Sequence, residues 1–279
     1  MEGEERKRLR EKMERIKHKI AVISGKGGVG KTTVTVNLAV ALADKGYSVG
    51  IFDADIHGPT VPKMLGLKGE TLKANPIGIL PVLSPSGIKV VSMDFLLPGD
   101  EFPVIWRGPL KMRAIQQFLS ETMWGELDFL LIDLPPGTGD EPLSVMQLIE
   151  KVDGVVIVTI PSDVSKRIVK KAVSFSRQLD VPIIGIIENM SGFICPNCGA
   201  KVDIFMPGGG REMAEELNIP FLGSIPIDPD ISRSSDTGNP FIVGHPGSPA
   251  AVAFSEIVDR IEGFLGLGRV EAQIGEASS

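Results

Sequence analysis

The stretch Gly25-Lys-Gly-Gly-Val-Gly-Lys-Thr-Thr33 carries the strongest chemical signal in the chain. Gly25 to Thr32 satisfies G-x-x-x-x-G-K-[ST], the spacing of a loop that cradles phosphates. Its glycines (Gly25, Gly27, Gly28 and Gly30) let the backbone come close to an anion. Lys31 supplies positive charge for a β- or γ-phosphate, and the Thr32 hydroxyl suits a Mg²⁺ ion. Val29 and Thr33 complete the loop. The helix-prone run that follows opens with N–H groups that have no intrahelical acceptors and point at a bound anion. Lys26, a second lysine, is the unusual member.

Three carboxylates belong with this loop. Asp133 ends the apolar run Asp128-Phe-Leu-Leu-Ile-Asp133, which suits it to hold the Mg²⁺ ion directly or through water. Asp53 and Asp55 follow another apolar run. They are two apart, so they share a face in an extended segment. Either could orient an attacking water or assist at Mg²⁺.

The chain has two cysteines, Cys195 and Cys198, spaced C-x-x-C. With so few cysteines the pair reads as metal or redox chemistry and not as a structural staple. A cubane cluster or a structural zinc wants about four ligands. His18, His57 and His245 are too scattered to complete such a site. A two-fold axis beside the loop would bring two cysteine pairs together, so metal binding here implies a dimer. On the residues alone an iron–sulfur cluster, Zn²⁺ and free thiols all stay open. A redox disulfide is disfavoured, because Gly192, Pro196 and Gly199 do not suit a C-x-x-C that opens a helix.

The elements that must position these groups alternate. Strands are expected near 19–24, 48–53, 88–92, 128–133, 154–160, 182–187 and 221–225. Helices are expected near 31–45, 106–119, 140–150, 164–179, 210–217 and 248–265. Continuous apolar strands separated by helices predict an α/β fold, a mostly parallel sheet with helices on both faces. Right-handed crossovers put the C-terminal ends of the strands on one edge, where ligands bind. The polar motifs all fall at such ends. Residues 1–18 read as a charged, solvated leader helix. Residues 19–265 read as one P-loop domain with a cysteine insertion near 190–207, and 266–279 as a disordered tail.

The 279 residues are 43% apolar and 23% charged, with a net charge of −6. That balance argues against a general nucleic-acid binder. No apolar run approaches a membrane span, and the charged N-terminus is no signal peptide, so a cytoplasmic protein is expected, with neither nucleic acid nor membrane as partner.

The segments resemble known families when taken together. Gly25–Thr33 is similar to the deviant Walker A motif of dimeric ATPases that include the nitrogenase iron protein and the division-site and partition ATPases. Asp53-Ala-Asp-Ile-His-Gly-Pro-Thr60, Trp106-Arg-Gly-Pro109, Asp133-Leu-Pro-Pro-Gly-Thr-Gly-Asp140, Glu188-Asn-Met190 and Cys195-Pro-Asn-Cys198 resemble the Mrp family of iron–sulfur cluster carriers. The resemblance implies that Lys26 reaches the partner's nucleotide across a homodimer. It implies that Asp55 organises the attacking water and that Asn189 binds adenine, with Pro226 and Asp228 nearby. It implies that Cys195 and Cys198 bind a 4Fe-4S cluster between subunits, for delivery to apo iron–sulfur proteins. The expected function is thus an ATPase that binds ATP or ADP with Mg²⁺ and carries clusters. The rival expectations are a partition-type or positioning ATPase and a zinc-stabilised nucleotide switch.

Overall fold

The computed structural model describes residues 2–56, 58–96, 108–149, 151–195, 198–204 and 208–267. His57, Trp106, Arg107, Pro196 and positions 268–279 of the expected tail lie outside the described residues. In chain order the strands are β1 (Ile16–Ile23), β2 (Val49–Asp53), β3 (Lys73–Asn75), β4 (Gly78–Leu80), β5 (Val82–Leu83), β6 (Lys89–Ser92), β7 (Leu127–Asp133), β8 (Gly154–Thr159), β9 (Ile183–Glu188), β10 (Phe193–Ile194), β11 (Lys201–Val202) and β12 (Phe221–Ser224). The helices are α1 (Glu2–Met13), α2 (Lys31–Asp44), α3 (Val61–Met64), α4 (Gly108–Glu121), α5 (Asp140–Leu148), α6 (Asp163–Gln178), α7 (Gly209–Leu217), α8 (Pro229–Thr237), α9 (Phe241–Gly244) and α10 (Pro249–Phe264).

The central sheet runs β12-β9-β8-β1-β7-β2-β6-β5. Neighbours are parallel except β5, which pairs antiparallel with β6 at one edge. Side chains alternate between two cores because successive residues of a strand point to opposite faces. Along β1, Ala21 and Ile23 join one core while Ile20 and Val22 join the other. Leu130 and Ile132 of β7 follow the first, and Phe129 and Leu131 the second. Helices α1, α4, α5, α6 and α7 cover the first face, and α2, α3, α9 and α10 cover the second. This is the expected parallel sheet with helices on both faces.

The leader differs from the solvated helix expected for residues 1–18. Leu9 and Met13 of α1 are buried in the first core, at 3% and 2% exposure, and β1 starts at Ile16. The cause is visible in retrospect. Leu9 and Met13 are four apart and share a helical face, while the charges around them occupy the rest of the circumference. Residues 54–87, a Gly- and Pro-rich stretch that reads as loop-rich in the sequence, hold α3, the β3–β4 hairpin and β5. Helix α8 was also unforeseen; Asp228 caps it by accepting from the Asp230 N–H, and Pro229 starts it.

Candidate functional site

The P-loop leaves β1 at Ile23 and enters α2 at Lys31. The Ser24 hydroxyl donates to the Lys26 carbonyl at 3.0 Å, and the Gly137 N–H donates to the Ser24 carbonyl at 2.8 Å. The loop is therefore tied to the segment that follows β7. Gly28 and Gly30 take φ of 78° and 79°, the left-handed region that glycine enters without cost. Gly25 is constrained by space instead: a Cβ there would lie 1.8 Å from Ile168 Cγ2.

Asp133 is the centre of the site. It is fully buried at the end of β7, between β1 and β2. Lys31 Nζ sits 2.7 Å from its Oδ2, the Thr32 hydroxyl donates to Oδ2 at 2.6 Å, and the Thr35 hydroxyl donates to Oδ1 at 2.7 Å. Asp53 lies directly opposite Asp133 in the β2–β7 register and is also fully buried. It accepts from the Ser92 hydroxyl at 2.9 Å and from the Asp55 N–H at 3.2 Å. Burial pushes the Asp53 carboxyl well above the usual carboxylate range. The neighbouring Asp133 pushes it the same way, and Lys31 and Ser92 only partly oppose them.

Two buried carboxylates thus face one lysine. If both ionise, one negative charge is left over at a buried site, which favours a cation. The donors are carboxylate and hydroxyl oxygens, the hard set that suits Mg²⁺. Lys31, Thr32, Asp53 and Asp133 are brought together at the ends of β2 and β7 and the start of α2. Asp55 is half-buried just beyond β2, and Lys26 is half-buried in the loop. Thr35 and Ser92 were missed, although each had a signal. Thr35 is one helical turn after Lys31, and Ser92 ends the strand beside β2.

Asn189 closes the other side of the loop. Its Nδ2 donates to the Val29 carbonyl at 2.9 Å, and a Cβ on Gly30 would come within 2.3 Å of that nitrogen. Glu188, one residue earlier, is buried at 1% exposure. It accepts from the Ser191 hydroxyl and from the Gly210 N–H, both at 2.6 Å. The first turn of α7 thereby gains a negative charge at its positive end. Glu188 is structural in this arrangement, a role that sequence spacing did not indicate. Pro226 and Asp228 line a cavity of about 450 Å³ together with Phe193, Arg233 and His245.

The cysteines stand on a separate hairpin. Its strands β10 and β11 pair antiparallel through Phe193–Val202 and Ile194–Lys201. At the tip the Cys195 N–H donates to the Ala200 carbonyl at 2.9 Å, and the Gly199 N–H donates to the Cys195 carbonyl at 2.8 Å. Gly199 permits the turn at φ 69°. Cys195 is half-buried and Cys198 exposed, both as thiols. Among the described residues, no group of three or more His, Cys, Asp and Glu side chains is placed to hold a metal ion.

Known proteins agree with this architecture. Residues 15–262 match the ParA family model, described as the NUBPL iron-transfer P-loop NTPase. The chain is 54% identical over 250 residues to an iron–sulfur cluster carrier protein of Saccharolobus solfataricus, covering 90% of this chain and 84% of that one. It is 55% identical over 254 residues to the protein of that name from Methanocaldococcus jannaschii, covering 91% and 87%. Among solved structures it resembles a nucleotide-binding protein from Archaeoglobus fulgidus in complex with ADP and with Co, at TM-score 0.78 and 42% identity over 88% of this chain and 95% of that one. It also resembles the septum site-determining protein MinD of Pyrococcus horikoshii complexed with Mg-ADP, at TM-score 0.67 and 25% identity over 90% and 98%. The chain belongs to the ParA family, described as the NUBPL iron-transfer P-loop NTPase.

Proposed function

We propose that this chain is an ATPase that carries iron–sulfur clusters on Cys195 and Cys198 and hands them to apo-proteins in the cytoplasm. The observation that carries the reading is the pairing of two sites in one chain. A Lys31–Thr32–Asp133 cluster stands at the P-loop, and the half-buried Cys195 and exposed Cys198 stand outside it. Each chain supplies two thiolates, so two chains meeting at a two-fold axis would supply four to one 4Fe-4S cluster. The names of the relatives at 54% and 55% identity support the carrier role over a MinD-like positioning role, which rests on 25% identity.

In the nucleotide site Lys31 would leave Asp133 and meet the β/γ-phosphates. Gly25 to Thr33 would wrap the phosphates, and Asn189 would turn its carboxamide from Val29 to adenine, with Pro226 and Asp228 beside the base. Thr32, Asp53 and Asp133 would hold Mg²⁺, which when bound neutralises phosphate charge. Asp55 orients a water whose oxygen attacks the γ-phosphorus. The bond to the β–γ bridging oxygen breaks, leaving ADP and inorganic phosphate. Lys26 of one chain reaches the nucleotide of the other and stabilises the leaving charge.

Anaerobic reconstitution with iron and sulfide, followed by absorbance, metal analysis and sizing, tests this reading. The expected result is about four irons per pair of chains, with transfer to an apo acceptor. A monomer, or a preparation that takes up zinc and no cluster, would overturn it in favour of a zinc-stabilised switch.

A further inference from the structure

Cys195 is attached to the nucleotide site twice. The first attachment is covalent and short. Asn189 lies over the P-loop, its Nδ2 bonded to the Val29 carbonyl, and the chain reaches Cys195 six residues later. Met190 follows with φ 57°, and its Cε would lie 3.7 Å from a Cβ on Gly30. Both neighbouring side chains therefore sit on the same loop glycine. A non-glycine residue keeps a left-handed backbone only where its surroundings hold it there.

The second attachment is a set of hydrogen bonds to the segment that begins the Pro226–Asp228 loop. The Ser191 N–H donates to the Ile225 carbonyl at 2.8 Å, and the Ile227 N–H donates to the Gly192 carbonyl at 2.7 Å. Phe193 and Ile227 form a parallel bridge. Gly192 has φ 76°, and a Cβ there would meet Asp203 Oδ1 and Lys201 Cε at 3.3 Å, so this pivot also packs against the returning arm of the hairpin. Residues on both sides of the proposed adenine position are thus connected to the base of the cysteine hairpin.

We propose that Met190 and Ile227 are positioning residues that couple nucleotide occupancy to the setting of the Cys195 thiol. This deepens the functional reading above and rests on it. Seating a nucleotide draws Asn189 away from Val29 and presses on the 226–228 loop. Met190 and Gly192 are the left-handed pivots where that displacement turns into rotation of β10. The Ile227 N–H keeps hairpin and loop moving together. The hairpin opens or covers Cys195 as the nucleotide changes, without any contact between nucleotide and cluster.

The test uses the full-length apo-protein, so its readout does not depend on a loaded cluster. The rate of Cys195 alkylation by iodoacetamide is measured by mass spectrometry with and without Mg-ADP, while ADP affinity is measured on the same sample. The rate is expected to change by at least about fivefold, the low end of ordinary coupling between sites. Ile227→Pro removes the N–H donor, and Met190→Gly frees the pivot. At saturating Mg-ADP each should cut the nucleotide response to under about twofold. Met190→Asn, which tolerates the left-handed backbone, should keep the response. If Ile227→Pro fails to fold, Met190→Gly against Met190→Asn decides. A merely structural role would shift the nucleotide-free rate and preserve the ratio, which would overturn the coupling. Normal ADP binding and cluster assembly with no nucleotide effect on wild-type Cys195 would overturn the coupling alone. Absence of ADP binding would overturn both it and the functional reading.

Discussion

The Asp133 pocket and the cysteine hairpin are built on opposite plans. Asp133 lies at the centre of an eight-stranded sheet, fully buried, with three donors from α2 upon it. The hairpin has two residues per strand and ends in the exposed Cys198. An isolated two-stranded hairpin is marginal in water, so this one depends on its bonds to residues 225–227. Phosphoryl transfer asks for charges already in place. A cargo that must leave asks for access and a compliant mount. The contrast teaches that one sheet edge can hold a stiff site and a pliant one, provided that the pliant one is tethered to the stiff one.

The sharpest way to break that contrast is to remove the two thiols, the half-buried Cys195 and the exposed Cys198. Cys195→Ser with Cys198→Ser should abolish cluster binding completely, while stability changes by about 1 kcal/mol or less, since Cys198 is exposed and Cys195 only half-buried. Iron content after reconstitution and a urea melt are the measurements. Retained iron would show that the cluster is held elsewhere. Lys31→Ala attacks the other plan and should do two kinds of damage at once. Phosphate release should fall by at least about 10²-fold, the scale seen when one preorganised donor is lost. Folding should also weaken by about 3–5 kcal/mol, because Asp133 keeps a buried charge without its cation. A Lys31→Ala protein as stable as wild type would mean that the buried Asp133 site does not depend on the Lys31 cation for its stability.

The same contrast explains what could be read from the sequence. Seven strands of the central sheet were legible because parallel strands covered on both faces read as near-continuous apolar runs. The P-loop, Asp53 and Asp133 were legible because they sit at the ends of those runs. Thr35 and Ser92 had a positional signal, but their partners Asp133 and Asp53, like the Gly210 partner of Glu188, lie distant in sequence and left none. The burial of α1 was missed because two apolar residues, Leu9 and Met13, were outweighed by the charges around them. The C-x-x-C spacing was plain. Its attachment to Ile227 was not, because a backbone bond between loops leaves no trace in side-chain pattern.

A smaller effect tests whether the P-loop's rigidity comes from packing as well as from charge. Gly25→Ala puts a Cβ where Ile168 Cγ2 and the Ile168 carbonyl already lie, at 1.8 and 2.9 Å. The side chain can turn away, but the carbonyl cannot without moving α6. Overpacking of this kind costs about 1–3 kcal/mol. The loss should be visible in a urea melt, and Ile168→Ala in the same chain should restore only part of it. Full restoration would show that the side chain alone made the constraint. The Gly27→Ala control, which meets no atom within 4 Å, should leave the melt unchanged.

The subtlest consequence is a slope and not a height. Burial, with Asp133 opposite, raises the Asp53 carboxyl above its ordinary value of 3.8. The folded chain therefore holds a proton on Asp53 at pH values where the unfolded chain has released it. Stability from this group is fully present below 3.8 and is lost as pH rises from there through the raised value. Asp53→Asn removes the titration, so the difference in unfolding free energy between variant and wild type should grow in the variant's favour as pH rises above 3.8 in nucleotide-free protein. Mg-ADP should shrink that difference in wild type, since a bound cation favours the ionised carboxylate. Parallel pH profiles for the two proteins would show that Asp53 is already ionised without nucleotide. The pocket would then hold its two charges by Lys31, Ser92 and the loop backbone alone, and the excess negative charge that invites the metal would be permanent.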